Sequence, residues 1–211
     1  MLANARFDDV VTSEEQFRAV MGNPMPPVIK KEISYLDANC RAFIAKCPFV
    51  LISSCDREGR MDISPKGDPA GFVQVLDDQS LAIPDRPGNR RADTFKNILQ
   101  NDRVGLFFII PGKQEALRVS GRAMIVRDFS LREQMAVGGK NPDFAIVVTV
   151  EQAFFHCPKC VIRSHLWTSE TWPDQMGLPS LAEAVVAAGK LDVTVEHVQE
   201  MIDHDAKTRL Y

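Results

Sequence analysis

Three stretches of the chain hold residue types that could do chemistry. The first, HCPKCVIRSHLW (156–167), sets Cys157 and Cys160 at CxxC spacing beside His156, with Arg163, His165 and Trp167 close behind. Cysteines so spaced serve zinc or thiol–disulfide exchange. A closed zinc site needs four ligands, usually two CxxC pairs or one CxxC with HxxxH, and this chain has a single CxxC. Cys40, Cys47 and Cys55 would have to converge on it from segments patterned as a helix and a strand. A thioredoxin-like dithiol opens a helix within a βαβ unit, and the neighbouring pattern is not of that kind. Structural thiols packing a turn are the favoured reading, with zinc as the lesser alternative. His156 follows an apolar run and reads as an interior or interface histidine, His165 as facing either a ligand or solvent.

The second stretch is DISPKGD (62–68). Pro65 cannot donate to a strand ladder, so the segment reads as an edge or a bulge. There Ser64 and Lys66 could offer a hydroxyl and an ammonium to a phosphate. A plain strand end with an exposed lysine is the competing reading. The third is IPDRPGNRRADTFKNIL (83–99), in which Asn89 reads as the N-cap of a helix that carries Arg90 and Arg91 in its first turn. Arginines there oppose the helix macrodipole by roughly 0.3–1 kcal/mol each, a cost that a bound anion would offset. The alternative is a solvated basic turn. Two such clusters on neighbouring segments point to one shared phosphate more than either does alone.

The elements that must position these residues follow from periodicity. Thr12 with Glu15, or Ser13 with Gln16, has capping-box spacing and predicts a short helix through about Met21, ended by GNPMPP. Ser34 with Asp37 opens a second helix, with Ile33, Leu36, Cys40, Phe43, Ile44 and Cys47 as its apolar positions. From Pro48 the period drops to two. FVLISSC, RMDISPKG, FVQVLD, SLAIPD, RVGLFFII, ALRVSGRAMIVRD and FAIVVTVEQAFF read as strands joined mostly by tight turns. Helices are expected over 90–100, over SLREQMAV and through the tail after about residue 176. Six or seven strands with few helices between them predict a mainly β, antiparallel, small closed barrel with flanking helices. The expected organisation is an N-terminal helical segment packing on the barrel (1–47), the barrel (48–175) and a C-terminal helical extension (176–211), one domain overall.

Composition narrows the partners. The 211 residues are 45% hydrophobic and 25% charged with a net charge of −3, which gives no basic footprint for nucleic acid. VGLFFII (104–110) and FAIVVTV (144–150) are far shorter than the roughly 20 residues of a membrane helix. Asp8, Asp9, Glu14 and Glu15 in the first segment do not suit a signal peptide, and five scattered cysteines do not suit a secreted disulfide framework. A cytoplasmic protein with reduced, mostly buried thiols is expected. GxxxxGK(S/T), GxGxxG, HExxH and GxSxG are all absent.

SPKGD..GFV, LAIPDRPGNRRADTFKNIL, GLFFIIPG, LRVSGRA and HCPKCVIRSHLW, in this order, resemble the pyridoxamine 5′-phosphate oxidase-related FMN-binding proteins, in particular an uncharacterised branch with RSxLW. The resemblance covers about residues 30–175 and implies an FMN-binding split β-barrel that dimerises, with FMN at the interface and contacts from both chains. Carried over by position, it implies that Ser64, Pro65 and Lys66 lie on the strand supporting the FMN phosphate and ribityl chain. Asn89 and Arg90, with Arg91, match the polar-basic motif for the phosphate. Ile83 and Pro84 fall where the backbone runs beside the flavin ring. Leu117, Arg163 and Trp167 match segments that approach it from the partner chain. The arginine-and-histidine substrate motif of the true oxidase is missing near KTRLY, so pyridoxamine phosphate is not the expected substrate.

The function implied is FMN-dependent oxidoreduction between a reduced nicotinamide, NAD(P)H, and an unidentified small acceptor. Its competitors are a non-catalytic holder of FMN, haem or a deazaflavin with the same fold, and a zinc-binding protein organised by HCPKC.

Overall fold

The computed structural model describes residues 6–211. The chain divides into two compact units, Met1–Glu32 and Ile33–Tyr211. In the first, α1 (Glu14–Met21) is opened by the expected capping box: Ser13 accepts from the Gln16 amide, and the Gln16 side chain accepts from the Ser13 amide. A five-residue helix, α2 (Pro26–Lys30), follows where a helix-ending GNPMPP was expected. Its prolines occupy the first positions, where no intrahelical donor is needed and φ is already set.

In the second unit, α3 (Ala38–Ile44) is capped by Asp37, whose carboxylate accepts from the Cys40 amide at 2.8 Å. It therefore starts later than Ser34, and buries Cys40, Phe43 and Ile44. Seven strands follow in the expected segments: β1 (Phe49–Cys55), β2 (Met61–Gly67), β3 (Gln74–Val75), β4 (Ser80–Pro84), β5 (Arg103–Ile109), β6 (Ala116–Val126) and β7 (Ala145–His156). All strand pairs are antiparallel, in the order β2-β1-β5-β6-β7-β4-β3. The hydrogen-bonded ladder is open, with β2 and β3 as its edges, so the expected closed barrel is corrected to the open sheet of a split barrel. FVQVLD contributes only two ladder residues. Between strands lie α4 (Asp93–Ile98) and α5 (Phe129–Gln134), and α6 (Lys159–Ser164), α7 (Leu181–Gly189) and α8 (Val195–Thr208) follow the sheet.

One face of the sheet carries the core. The alternation of β1 and β5 turns Val50, Ile52, Val104, Leu106 and Phe108 inward, against Leu117 and Val119 of β6 and Ile146 and Val148 of β7. Leu36, Cys40, Phe43, Ile44 and Cys47 cover that face. The central β6–β7 pair is bent by a bulge where Ser120 opposes Gln152 and Gly121 opposes Val150, which leaves Glu151 as the extra residue. A Cβ on Gly121 would collide with the Thr149 carbonyl oxygen, so only glycine permits this approach. Gly121→Ala should cost about 1–3 kcal/mol in urea unfolding. Gly67→Ala, whose Cβ would meet Phe49 at an ordinary 3.5 Å, should cost less; equal costs would contradict the close-approach account.

Candidate functional site

The edge strand β2 alternates strictly. Asp62, Ser64 and Lys66 lie on its half-buried side, while Met61, Ile63 and Pro65 are exposed on the other. Lys66 opposes Val50 of β1, so its side chain emerges at the rim of the core. There it meets the loop that follows β4, and the two enclose a cleft of two adjoining lobes, of about 680 and 640 Å³. Ser64, Pro65, Lys66 and Asn89 line both lobes, and Arg90 and Arg91 line the first. The two sequence clusters are thus brought together.

The loop is held by α4. Asn97 donates to the Ser54 hydroxyl at 3.0 Å and Thr94 to the Asp62 carboxylate at 3.1 Å, pinning the helix to β1 and β2. Asn89 does not cap it. Helix α4 begins at Asp93, its N-cap is Ala92 with no side-chain cap, and the Asn89 side-chain Oδ1 instead accepts from the Arg91 amide at 3.0 Å. Arg90 and Ala92 both adopt left-handed backbone, at φ 61° and 55°, which bulky residues rarely do. This local twist delays the helix and takes both arginines out of its first turn. Side chains, more than helix amides, therefore supply the cations.

Most charges in the cleft are already matched. Lys66 Nζ lies 3.6 Å from Asp85, and Arg91 Nε donates to Asp93 at 2.7 Å. That bond holds the Asp93 carboxyl below its usual value. Arg86 Nε donates to Asp68 at 2.6 Å, Arg86 Nη2 to the Met135 carbonyl at 2.8 Å, and the Tyr211 hydroxyl to Asp68 at 2.7 Å. Arg90 is in no ion pair among the described residues, which leaves it available to an anion. Asp85, Arg86, Asp68 and Tyr211 were not singled out from sequence. Asp85 and Arg86 sit inside the quoted IPDRPG segment, but the Asp68–Tyr211 bond spans 143 positions and has no local signal.

The remaining candidates lie elsewhere. Ile83 and Leu117 are fully buried in the core, so neither side chain faces the cleft, whereas Pro84 lines the second lobe. Arg163 is exposed on α6, and Trp167 donates its indole N–H to the Lys113 carbonyl at 2.8 Å; neither lines the cleft. HCPKC ends β7 and leads into α6. Cys157 and Cys160 are free and exposed, which corrects the expectation that they pack a turn, while Cys40 and Cys47 are buried. Burial pushes the Cys40 thiol up to about 12. Among the described residues no three His, Cys, Asp or Glu side chains gather as a metal site, and no helix is long and apolar enough to cross a membrane.

Residues 36–157 match the family model for pyridoxamine 5′-phosphate oxidase, and the chain belongs to that family. No curated protein matches the chain. Among solved structures it is similar to HupZ of Group A Streptococcus, at 17% identity and TM-score 0.47 over 56% of this chain and 92% of that one. A candidate pyridoxamine 5′-phosphate oxidase from Lactobacillus delbrueckii shares 20% identity, with TM-score 0.46 over 58% of this chain and 95% of that one. HutZ, the haem storage protein of Vibrio cholerae, shares 13% identity, with TM-score 0.38 over 57% and 93% respectively.

Asp85 gives the cleft a pH signature. Burial pushes its carboxyl above the ordinary value, opposed by the nearby Lys66 ammonium. Protonation is then easier in the folded chain than in the unfolded one. Its contribution to stability is present at acid pH and is lost as pH rises through the raised value. Asp85→Asn removes that loss, so its Tm relative to the parent should increase as pH rises above the ordinary aspartate value of about 4. A difference independent of pH would contradict the assignment.

Proposed function

We propose that this chain is an FMN-binding flavoprotein acting as an FMN-dependent oxidoreductase between reduced nicotinamide and a small acceptor. The observation that carries the reading is Arg90, a guanidinium in no ion pair among the described residues, which lines a roomy cleft with Lys66 and Ser64 in a chain from this family. A phosphate dianion needs cations and hydroxyl or amide donors, and a flavin ring needs an apolar slot. Arg90, Arg91, Lys66, Ser64 and Asn89 would hold the phosphate end. Pro65 and Pro84 offer apolar surface for the ring. When bound, FMN supplies a ring that takes up two electrons from a nicotinamide and passes them on. The chain's own part is to hold the phosphate, to orient the ring and to keep water from it.

A homodimer belongs to the same proposal. Pro65, Leu51, Phe107, Arg118 and Phe154 stand opposite one another across β2, β1, β5, β6 and β7, and so share the face away from the core. Met61 and Ile63, exposed by 68% and 66%, extend that apolar face at its edge. A second copy would cover it and could bring Arg163 and Trp167 towards the neighbouring cleft.

Lys66→Ala and Arg90→Ala should each weaken FMN binding by about 1.5–3 kcal/mol, the range for charge-assisted hydrogen bonds, in a fluorescence titration. Unchanged affinity in both would remove the phosphate assignment. Anaerobic bleaching of the FMN-loaded protein by NADPH and its recovery with a quinone would support turnover; failure of both would leave a flavin holder. Ile63→Lys should leave the melting temperature nearly unchanged and yield monomers in sedimentation, and a dimer that survives it would refute the face.

A further inference from the structure

We infer that Tyr211 is the wall against which the flat ring of the bound flavin lies, in the lobe adjoining the one that takes its phosphate. This inference rests on the flavin reading and assigns the second lobe. The two lobes differ in charge. The first contains Arg90, which has no ion pair among the described residues. The second lacks Arg90 and Arg91 and is bordered by Pro65, Pro69, Phe72, Pro84 and Leu210; its Arg86 faces Asp68 at 2.6 Å, and Lys66, shared by both lobes, faces Asp85 of the first at 3.6 Å. A ligand with one anionic end and one flat, largely apolar end matches that division, and Ser64, Pro65 and Lys66 run along both lobes to connect them.

Tyr211 lines both lobes and is fixed on three sides. Its hydroxyl donates to Asp68 at 2.7 Å, the Arg86 guanidinium lies 5.4 Å from its ring centre, and Lys140 Nζ donates to its carbonyl oxygen at 3.0 Å. Asp68 and Arg86 have side chains only 1% and 15% exposed. Burying such a pair carries a desolvation cost, and here the pair locks an aromatic ring in place. The hydrogen bond to Asp68 pushes the phenol above its ordinary value, so it remains a protonated donor at neutral pH. A ring ordered beforehand loses little freedom when a second ring lies on it, which makes it an efficient platform. Asp68 and Arg86 act through it as positioning residues.

FMN and riboflavin, which share the ring and differ in the phosphate, separate the two lobes in a fluorescence titration of the full chain. Tyr211→Ala should weaken FMN and riboflavin alike by roughly three- to tenfold, the scale of one aromatic contact. Tyr211→Phe, which keeps the ring, should lose less than Tyr211→Ala for both ligands. Arg90→Ala should weaken FMN and spare riboflavin. If Tyr211→Ala fails to fold, Tyr211→Leu keeps the bulk without the ring and should behave as predicted for alanine. Unchanged or tighter binding of both ligands, or loss confined to FMN, would overturn the wall while leaving the flavin reading standing. A parent chain that binds neither ligand would overturn both.

Discussion

The register of β2 on β1 decides which residues of the edge strand face the cleft and which face the outer side of the sheet. Because Ile52 opposes Ser64 and Val50 opposes Lys66, the polar residues of the edge strand point to the rim of the core. Pro65 and Ile63 are left to the outer apolar face, opposite Leu51 and Ser53. A slip by one residue would exchange the two sets of side chains and turn Lys66 to the outer face. Pro65 suits this position because it lies on an edge, where the absent N–H breaks no inner ladder. A single strand thus links the cleft proposed for the phosphate to the sheet face proposed for a second copy.

The opposite bank of the cleft is less regular and is held by polar anchors. Asn97 on Ser54 and Thr94 on Asp62 fix α4, and the left-handed residues Arg90 and Ala92 carry the chain over the opening. Such conformations persist where the surroundings determine them. Around them, Lys66 pairs with Asp85, Arg91 with Asp93 and Arg86 with Asp68, while Arg90 is in no ion pair among the described residues. Lys66, Arg90 and Arg91 thus gather on one stretch of the cleft, two of them paired with aspartates.

Much of this was legible in the sequence where the signal is local. Alternation located all seven strands, the Ser13–Gln16 capping box located α1, and Ser64, Lys66, Asn89, Arg90 and Arg91 could be gathered from two short stretches. Misreadings arose where tertiary context competes with propensity. Asn89 has the chemistry of an N-cap, yet the backbone twist at Arg90 and Ala92 spends it on a turn. The spacing of Cys157 and Cys160 draws attention, but the strand end leaves both thiols in solvent. Leu117 and Ile83 match the family by position, although the pleat turns their side chains into the core. Asp68 and Arg86 lie within the two polar stretches, but their link to Tyr211 had no local signal because no spacing rule joins residues so far apart. Whether β2 and β3 pair with each other is likewise a question of global curvature, which strand patterns do not encode.

Whether the cleft between β2 and the loop after β4 holds FMN is decided by the chromophore of freshly purified protein, released by denaturation and identified by chromatography and mass. The account predicts FMN, taken up to one per chain on reconstitution. A colourless chain that neither binds added FMN nor gains melting temperature from it, or one that releases haem or a deazaflavin, would contradict it.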